Sequence, residues 1–217
     1  MSLNEKGMGT VIVLASQSPR RRALLAALGV AFVVDAADVD ETPRLWESPL
    51  DLVMRLSREK AQSVAARRPG ATVLAADTIV ALDGVLLGKP ADADEARAML
   101  RALRSRTHQV LTAVSVAQDD TLVARCSACD VTMRSYGDRE IDAYVATGDP
   151  LDKAGAYAIQ HPAFAPVANW TGCYTSIMGL PLGVVADLLA STGEAVPQDV
   201  TGLCESLGGR CCLRPSK

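Results

Sequence analysis

The amino-acid sequence predicts a mixed α/β sheet with helices packed against it, and three observations carry that prediction. Short β-branched apolar runs alternate with helical segments through the first half of the chain. Two long segments of alternating polarity follow, the pattern of an antiparallel hairpin. The 217 residues are 49% hydrophobic and 22% charged, a globular composition that fits one domain or two small ones. A chain of this length buries roughly 70% of its unfolded surface, so its core needs no covalent staple.

Thr10 to Ser16, "TVIVLAS", reads as a buried strand. Ser18 and Pro19 read as the N-cap and first residue of a helix, "RRRALLAALG", closed by Gly29. "AFVVDAADVDE" is a second strand ending in an acidic cluster. The next helix opens at Ser48 and Pro49 and stops before Pro69 and Gly70. "ATVLAADTIVALDGVLLGKP" is strand, turn at Asp83-Gly84, strand. "DADEARAMLRALRSR" is an amphipathic helix with acids first and bases last, as the helix dipole prefers. Two long strands turn at Gln118 to Asp120, and "GDREIDAYVATG" is a short helix ended by Gly148. "DPLDKAGAYAIQ" is expected as a glycine-containing loop entering a strand, "TGCYTSIMG" as another strand, and "LPLGVVADLLASTG" as a closing helix. Residues 194–217 lose periodicity and are expected as a loose tail.

The net charge is −3 and the pI about 5.4, which opposes bulk attraction to nucleic acid. Aromatics at 4% oppose base-stacking platforms. No apolar run is long enough to span a bilayer, and the polar "MSLNEKGMGT" is not a signal peptide. The six cysteines are therefore expected as reduced thiols in a cytoplasmic protein. Cys126 and Cys129 have zinc spacing, but they sit in a strand pattern without a second pair. Two histidines, His108 and His161, do not supply a His-based triad or a multi-His metal site.

Arg20, Arg21 and Arg22 stand at a helix N-terminus, where the dipole disfavours cations. A strand, a serine-containing turn and a helix N-terminus form a recurrent anion site. Two arginines there suit a polyphosphate; a solvated basic turn is the alternative. Asp38, Asp40 and Glu41 close a strand, and Asp77 and Thr78 interrupt an apolar one. A carboxylate in such a run is costly unless it is paired or binds a metal. With Lys60, Lys89 and Lys153, also at element ends, the set suits metal-assisted chemistry on a phosphate chain.

"LASQSPRRRALLAALG", "DVDET", "LSREKA", "AADTIVALDGVLLGKP", "THQVLTAVSV", "DKAGAYAIQ" and "IMGLPL" occur in an order and spacing that resembles the Maf family, nucleoside triphosphate pyrophosphatases once called septum-formation inhibitors. The resemblance covers residues 10–193. It implies a fold like the inosine-triphosphate pyrophosphatases, two lobes with a cleft, a divalent cation (Mg²⁺ or Mn²⁺), a cytoplasmic location and a homodimer. It further implies that Ser16, Arg20, Arg21, Lys60 and Lys89 bind phosphates, that Glu41 and Asp77 surround the metal, and that Asp77 is the proton acceptor. Arg20, Thr78 and Gln160 match the specificity positions of the subgroup acting on dTTP and UTP, which would keep non-standard nucleotides from incorporation. The glutamine amide both donates and accepts, which suits a pyrimidine edge. "HPAFAPVANW", with His161 and Trp170, replaces the family's glycine-rich turn. A regulator of cell division that binds nucleotide without turnover is the alternative; it would need the arginines and Gln160 but not Asp77.

Overall fold

The computed structural model describes residues 11–209. The Thr10 end of the first predicted strand and Cys211 and Cys212 lie outside the described residues. In chain order the elements are β1 (Ile12–Leu14), α1 (Pro19–Ala27), β2 (Phe32–Val34), α2 (Pro49–Ala65), β3 (Thr72–Leu82), β4 (Val85–Leu87) and α3 (Ala93–Leu103). The second half comprises β5 (Thr107–Gln118), β6 (Thr121–Met133), α4 (Asp138–Val145), β7 (Val167–Trp170), α5 (Tyr174–Ile177), α6 (Leu182–Ser191) and α7 (Val200–Ser206). The seven-stranded sheet runs β2-β1-β3-β5-β6-β7, with β4 also on β3. The β1 pairings are parallel; every other pairing is antiparallel. The mixed sheet flanked by helices is the predicted fold.

Local chemistry starts and stops these elements as expected. Ser18, Ser48 and Asp92 cap α1, α2 and α3 with their side-chain oxygens. Asp83 and Gly84 adopt positive φ at the β3–β4 turn, the geometry that an Asp-Gly hairpin supplies.

The alternation of side chains along β3 and β5 divides the core. Leu74, Ala76, Val114 and Val116 pack with Leu24, Leu25 and Leu28 of α1 and Val185 and Leu189 of α6. Further along the same face, Val80, Leu82 and Val110 join a second core with Leu100, Tyr144 and Tyr157. Thr78 and Thr112, paired in register, occupy the intervening position on that face. The opposite face carries Val73, Ala75 and Ile79, packed under α2 through Leu52, Leu56, Ala61 and Val64.

One edge of β3 is left open at its centre. There β1 pairs as far as Leu74, and β4 begins only at Val80. Among the described residues no strand covers 75–79 on that side. Asp77 and Thr78, pointing to opposite faces by strand periodicity, meet at this notch.

Three expectations need correction. "TGCYTSIMG" is not a strand: Gly172 and Gly179 adopt φ of +84° and +107° and bracket the short helix α5, while the strand is Val167–Trp170 just before it. The loop around Lys153 forms two 3₁₀ turns instead of entering a strand. Gly155 sits at φ +70°, where a Cβ would lie 3.0 Å from Val80 Cγ1. The segment expected to be a loose tail contains α7, whose Cys204 is fully buried against the α1–α6 core. At seven residues, α7 is too short to show helical periodicity.

Cys126 and Cys129 both lie on β6. Three residues apart on a strand, they face opposite ways, and Cys129 Sγ donates to the Cys173 carbonyl at 3.4 Å. They cannot close on one metal ion. Among the described residues, no helix is long and apolar enough to cross a membrane.

Candidate active site

The N-terminus of α1 delivers Arg21 to the notch. Its Nε donates to the Gly179 carbonyl at 2.9 Å, one terminal nitrogen to Ser16 Oγ at 3.2 Å and the other to Thr78 Oγ1 at 3.1 Å. Three of the five guanidinium N–H donors are thus committed to the protein, leaving two for an anion. Burial lowers the Arg21 pKa, Asp77 and Glu41 oppose this, and neighbouring Arg20 adds to the lowering. Arg20 is freer: its nearest anionic partner is Asp152, at 3.7 Å. Arg22 is exposed and belongs to no cleft wall.

Across the notch, Lys60 on α2 reaches two carboxylates. Its Nζ lies 2.6 Å from Asp77 Oδ1 and 2.6 Å from Glu41 Oε1. Lys60 and Asp77 are buried, whereas the Glu41 side chain is more than half exposed. Burial raises the Glu41 pKa, but the Lys60 hydrogen bond and charge, with Lys89 and Arg21, outweigh it and hold the carboxyl below its ordinary value. One ammonium held between two carboxylates marks a place where cationic charge is wanted.

The Glu41 loop is itself clamped. Arg55 forms a fork with both Glu47 oxygens at 2.6 and 2.8 Å, reaches Glu59 at 3.0 Å and donates to the Thr42 carbonyl at 3.1 Å. Asp40 accepts from the Thr42 amide at 2.9 Å; it turns the loop and does not line the cleft. Asp38 is exposed and lines neither cavity.

Two cavities open on either side of the notch, of about 180 and 430 Å³, and share Arg21, Thr78, Lys89 and Ala154. The smaller is walled by Arg20, Tyr157, Ile159, Gln160 and Met178. The larger holds Glu41, Lys60 and Asp77 against Leu52, Leu56 and Leu86. The structure therefore brings Arg20, Arg21, Glu41, Lys60, Asp77, Thr78, Lys89 and Gln160 to one cleft, with Ser16 supporting Arg21 from behind. Lys89 and Gln160 are exposed at its rim. Lys153 is buried, paired with Asp149 at 2.9 Å and Asp152 at 2.6 Å, and lines the smaller cavity as part of its wall.

Sequence reasoning missed Asp152, Thr112, Tyr157 and Arg55. Asp152 flanks Lys153 in a quoted motif and was within reach of it. Thr112 and Tyr157 also stand within such motifs and Arg55 does not, but all three act through tertiary pairing that no local pattern announces.

Tyr157 is propped by His108, whose Nε2 lies 2.7 Å from the tyrosine hydroxyl. Burial lowers the His108 pKa to about 4, and Nδ1 is buried without a partner among the described residues. A histidine with an ordinary value near 6.5 when unfolded keeps its neutral form in the folded state. Its contribution is complete above pH 6.5 and is lost as pH falls toward 4, a penalty of about 3 kcal/mol at the lower end. Denaturant unfolding between pH 7 and 4 should show this loss, and His108→Gln should flatten that part of the profile. An unchanged slope in the variant would assign the loss to carboxylates instead.

Fold and site together define a protein of the mixed α/β class with a cleft lined by cationic and acidic side chains at the open edge of its sheet. The chain belongs to the Maf family: residues 11–192 match the Maf-like protein family. A relative from Thermomicrobium roseum, named dTTP/UTP pyrophosphatase, is 47% identical over 207 residues, 95% of each chain. A second from Myxococcus xanthus, with the same name, is 52% identical over 190 residues, 87% of this chain and 95% of its own. Among solved structures, a HAM1 protein from Coxiella burnetii shows a partial likeness, with TM-score 0.41 and 18% identity over 58% of this chain and 73% of that one.

Proposed function

We propose that this chain hydrolyses dTTP and UTP between the α and β phosphates, releasing the nucleoside monophosphate and pyrophosphate. The observation that carries the reading is the convergence of Asp77 and Glu41 on one cationic position, 2.6 Å from each, beside Arg21 and Lys89 in one cleft.

Asp77 Oδ1 is occupied by Lys60, which leaves Oδ2 to take the proton of an attacking water. Lys60 has three N–H donors and spends two on Glu41 and Asp77. Its third is free for a phosphate oxygen. Arg20, Lys89 and the two uncommitted N–H groups of Arg21 neutralise the phosphate chain, where charge builds as the leaving pyrophosphate departs. Ser16 and the Gly179 carbonyl hold the Arg21 fork in one orientation before substrate arrives.

Glu41 and Asp77 also fit a divalent cation, Mg²⁺ or Mn²⁺: hard carboxylate oxygens, few in number, suit an ion that completes its shell with substrate phosphates and water. Among the described residues no cluster of three ligating side chains exists. Bound there, the ion supplies Lewis-acid neutralisation of phosphate oxygens. A cytoplasmic location and a homodimer belong to the same reading; light scattering of the purified chain tests the second.

The experiment is a panel of nucleoside triphosphates incubated with purified protein and Mg²⁺ or Mn²⁺. Pyrophosphate and monophosphate in equal amounts, with dTTP and UTP preferred, is the expected result. No pyrophosphate from any nucleotide would overturn the reading, and tight nucleotide binding without product would favour the non-hydrolytic regulator.

A further inference from the structure

A hydroxyl has one proton to give, and here the surroundings decide where it goes. Arg21 can only donate, so Thr78 Oγ1, at 3.1 Å from its terminal nitrogen, accepts. At the other end the Ser176 carbonyl can only accept, and Thr112 Oγ1 donates to it at 2.8 Å. Thr112 has then spent its proton. The 3.0 Å contact between Thr78 and Thr112 must be donated by Thr78. The relay Arg21 to Thr78 to Thr112 to the Ser176 carbonyl therefore runs one way, and Thr112 is fully buried, out of reach of solvent that would offer another partner.

Thr78 lines both cavities, and Gly179 leaves it open, since a Cβ there would sit in contact with Thr78 Oγ1 at 3.5 Å. With its proton committed, Thr78 presents only a lone pair to a ligand. A phosphate oxygen, itself an acceptor, gains nothing there. A base N–H does. Uracil and thymine carry an imide N3–H at the centre of the base edge, whereas cytosine carries a bare acceptor there and N–H donors only on its exocyclic N4, so a lone pair set opposite the central position favours the imide.

We propose that Thr112 is a specificity-determining positioning residue: by taking the proton of Thr78 it makes the cleft select imide-bearing pyrimidines over cytosine. The inference rests on the reading of the cleft as a pyrimidine triphosphate site. Thr112 touches no substrate; it acts through Thr78.

The test compares kcat/KM for UTP and CTP. The wild-type protein should prefer UTP. In Thr112→Val, Thr78 regains a free proton and can serve either base, so the UTP/CTP ratio should fall about tenfold or more. Thr112→Ser restores the relay and should keep the wild-type ratio; a merely structural role would lower both substrates alike. Thr112→Ala serves if the valine variant fails to fold. An unchanged ratio in the valine or alanine variant, a ratio lost in the serine variant, or equal use of UTP and CTP by the wild type each overturns the proposal. Absence of pyrophosphate from UTP with wild-type protein instead defeats the underlying functional reading, and the relay is then judged on binding of UMP against CMP to the same proteins.

Discussion

Asp77→Asn is expected to lower kcat/KM for dTTP and UTP by about 10³-fold, the scale of losing a positioned general base and one ligand of a bound cation. The fold should survive. Asparagine keeps the shape of the side chain, and Lys60 retains Glu41 at 2.6 Å, so no buried ammonium is left without a carboxylate. A melting temperature within a few degrees of the wild type, together with the lost rate, assigns the effect to chemistry. Retention of most of the rate would remove Asp77 from its role and move the search for a base to Glu41.

Arg21→Lys carries the second large effect, about 10²-fold in kcat/KM. Lysine keeps the charge but not the planar fork. Its ammonium cannot reach the Gly179 carbonyl, Ser16 and Thr78 in the arrangement that Arg21 holds at 2.9, 3.2 and 3.1 Å while still presenting two donors to phosphate. Steady-state kinetics should show the loss in both kcat and KM. Arg22→Ala, one residue along and exposed, should stay within about twofold, as surface substitutions do. Equal losses in the two variants would mean that the whole run acts as a diffuse basic patch and that the fork has no special standing.

The contrast between Arg21 and Arg22 shows what the sequence can and cannot say. Residue chemistry alone leaves the arginine run as either a polyphosphate site or a solvated turn. The resemblance to the Maf family separates Arg20 and Arg21 from Arg22, and the structure supplies the reason, since Arg21 turns inward to span α1, β3 and the turn at Gly179. Elements with strong local signals were legible: the Ser18-Pro19 start of α1, the Asp83-Gly84 turn, and α3 with its acidic first turn. Elements decided by tertiary packing were not. Cys173 to Gly179 has strand-like composition yet coils between two glycines at positive φ, and α7 is held by burial of Cys204 instead of by its own periodicity. The site divides the same way. Lys60 and Asp77 stand out as charges in apolar settings, whereas Thr112 looks like any threonine in a strand until its two hydrogen-bonded neighbours are seen.

The uncovered stretch of β3 between the end of β1 and the start of β4 has a further consequence. An unpaired strand edge is a template on which a foreign strand can add, and long exposed edges invite aggregation. Here the opening spans only residues 75–79, is recessed between two strands, and is flanked by the cations of Arg21, Lys60 and Lys89. An incoming backbone would have to displace charged side chains to pair along so short a run. The cations that line the notch thus refuse a polypeptide, and the chain keeps this gap in its sheet without making it a sticky edge.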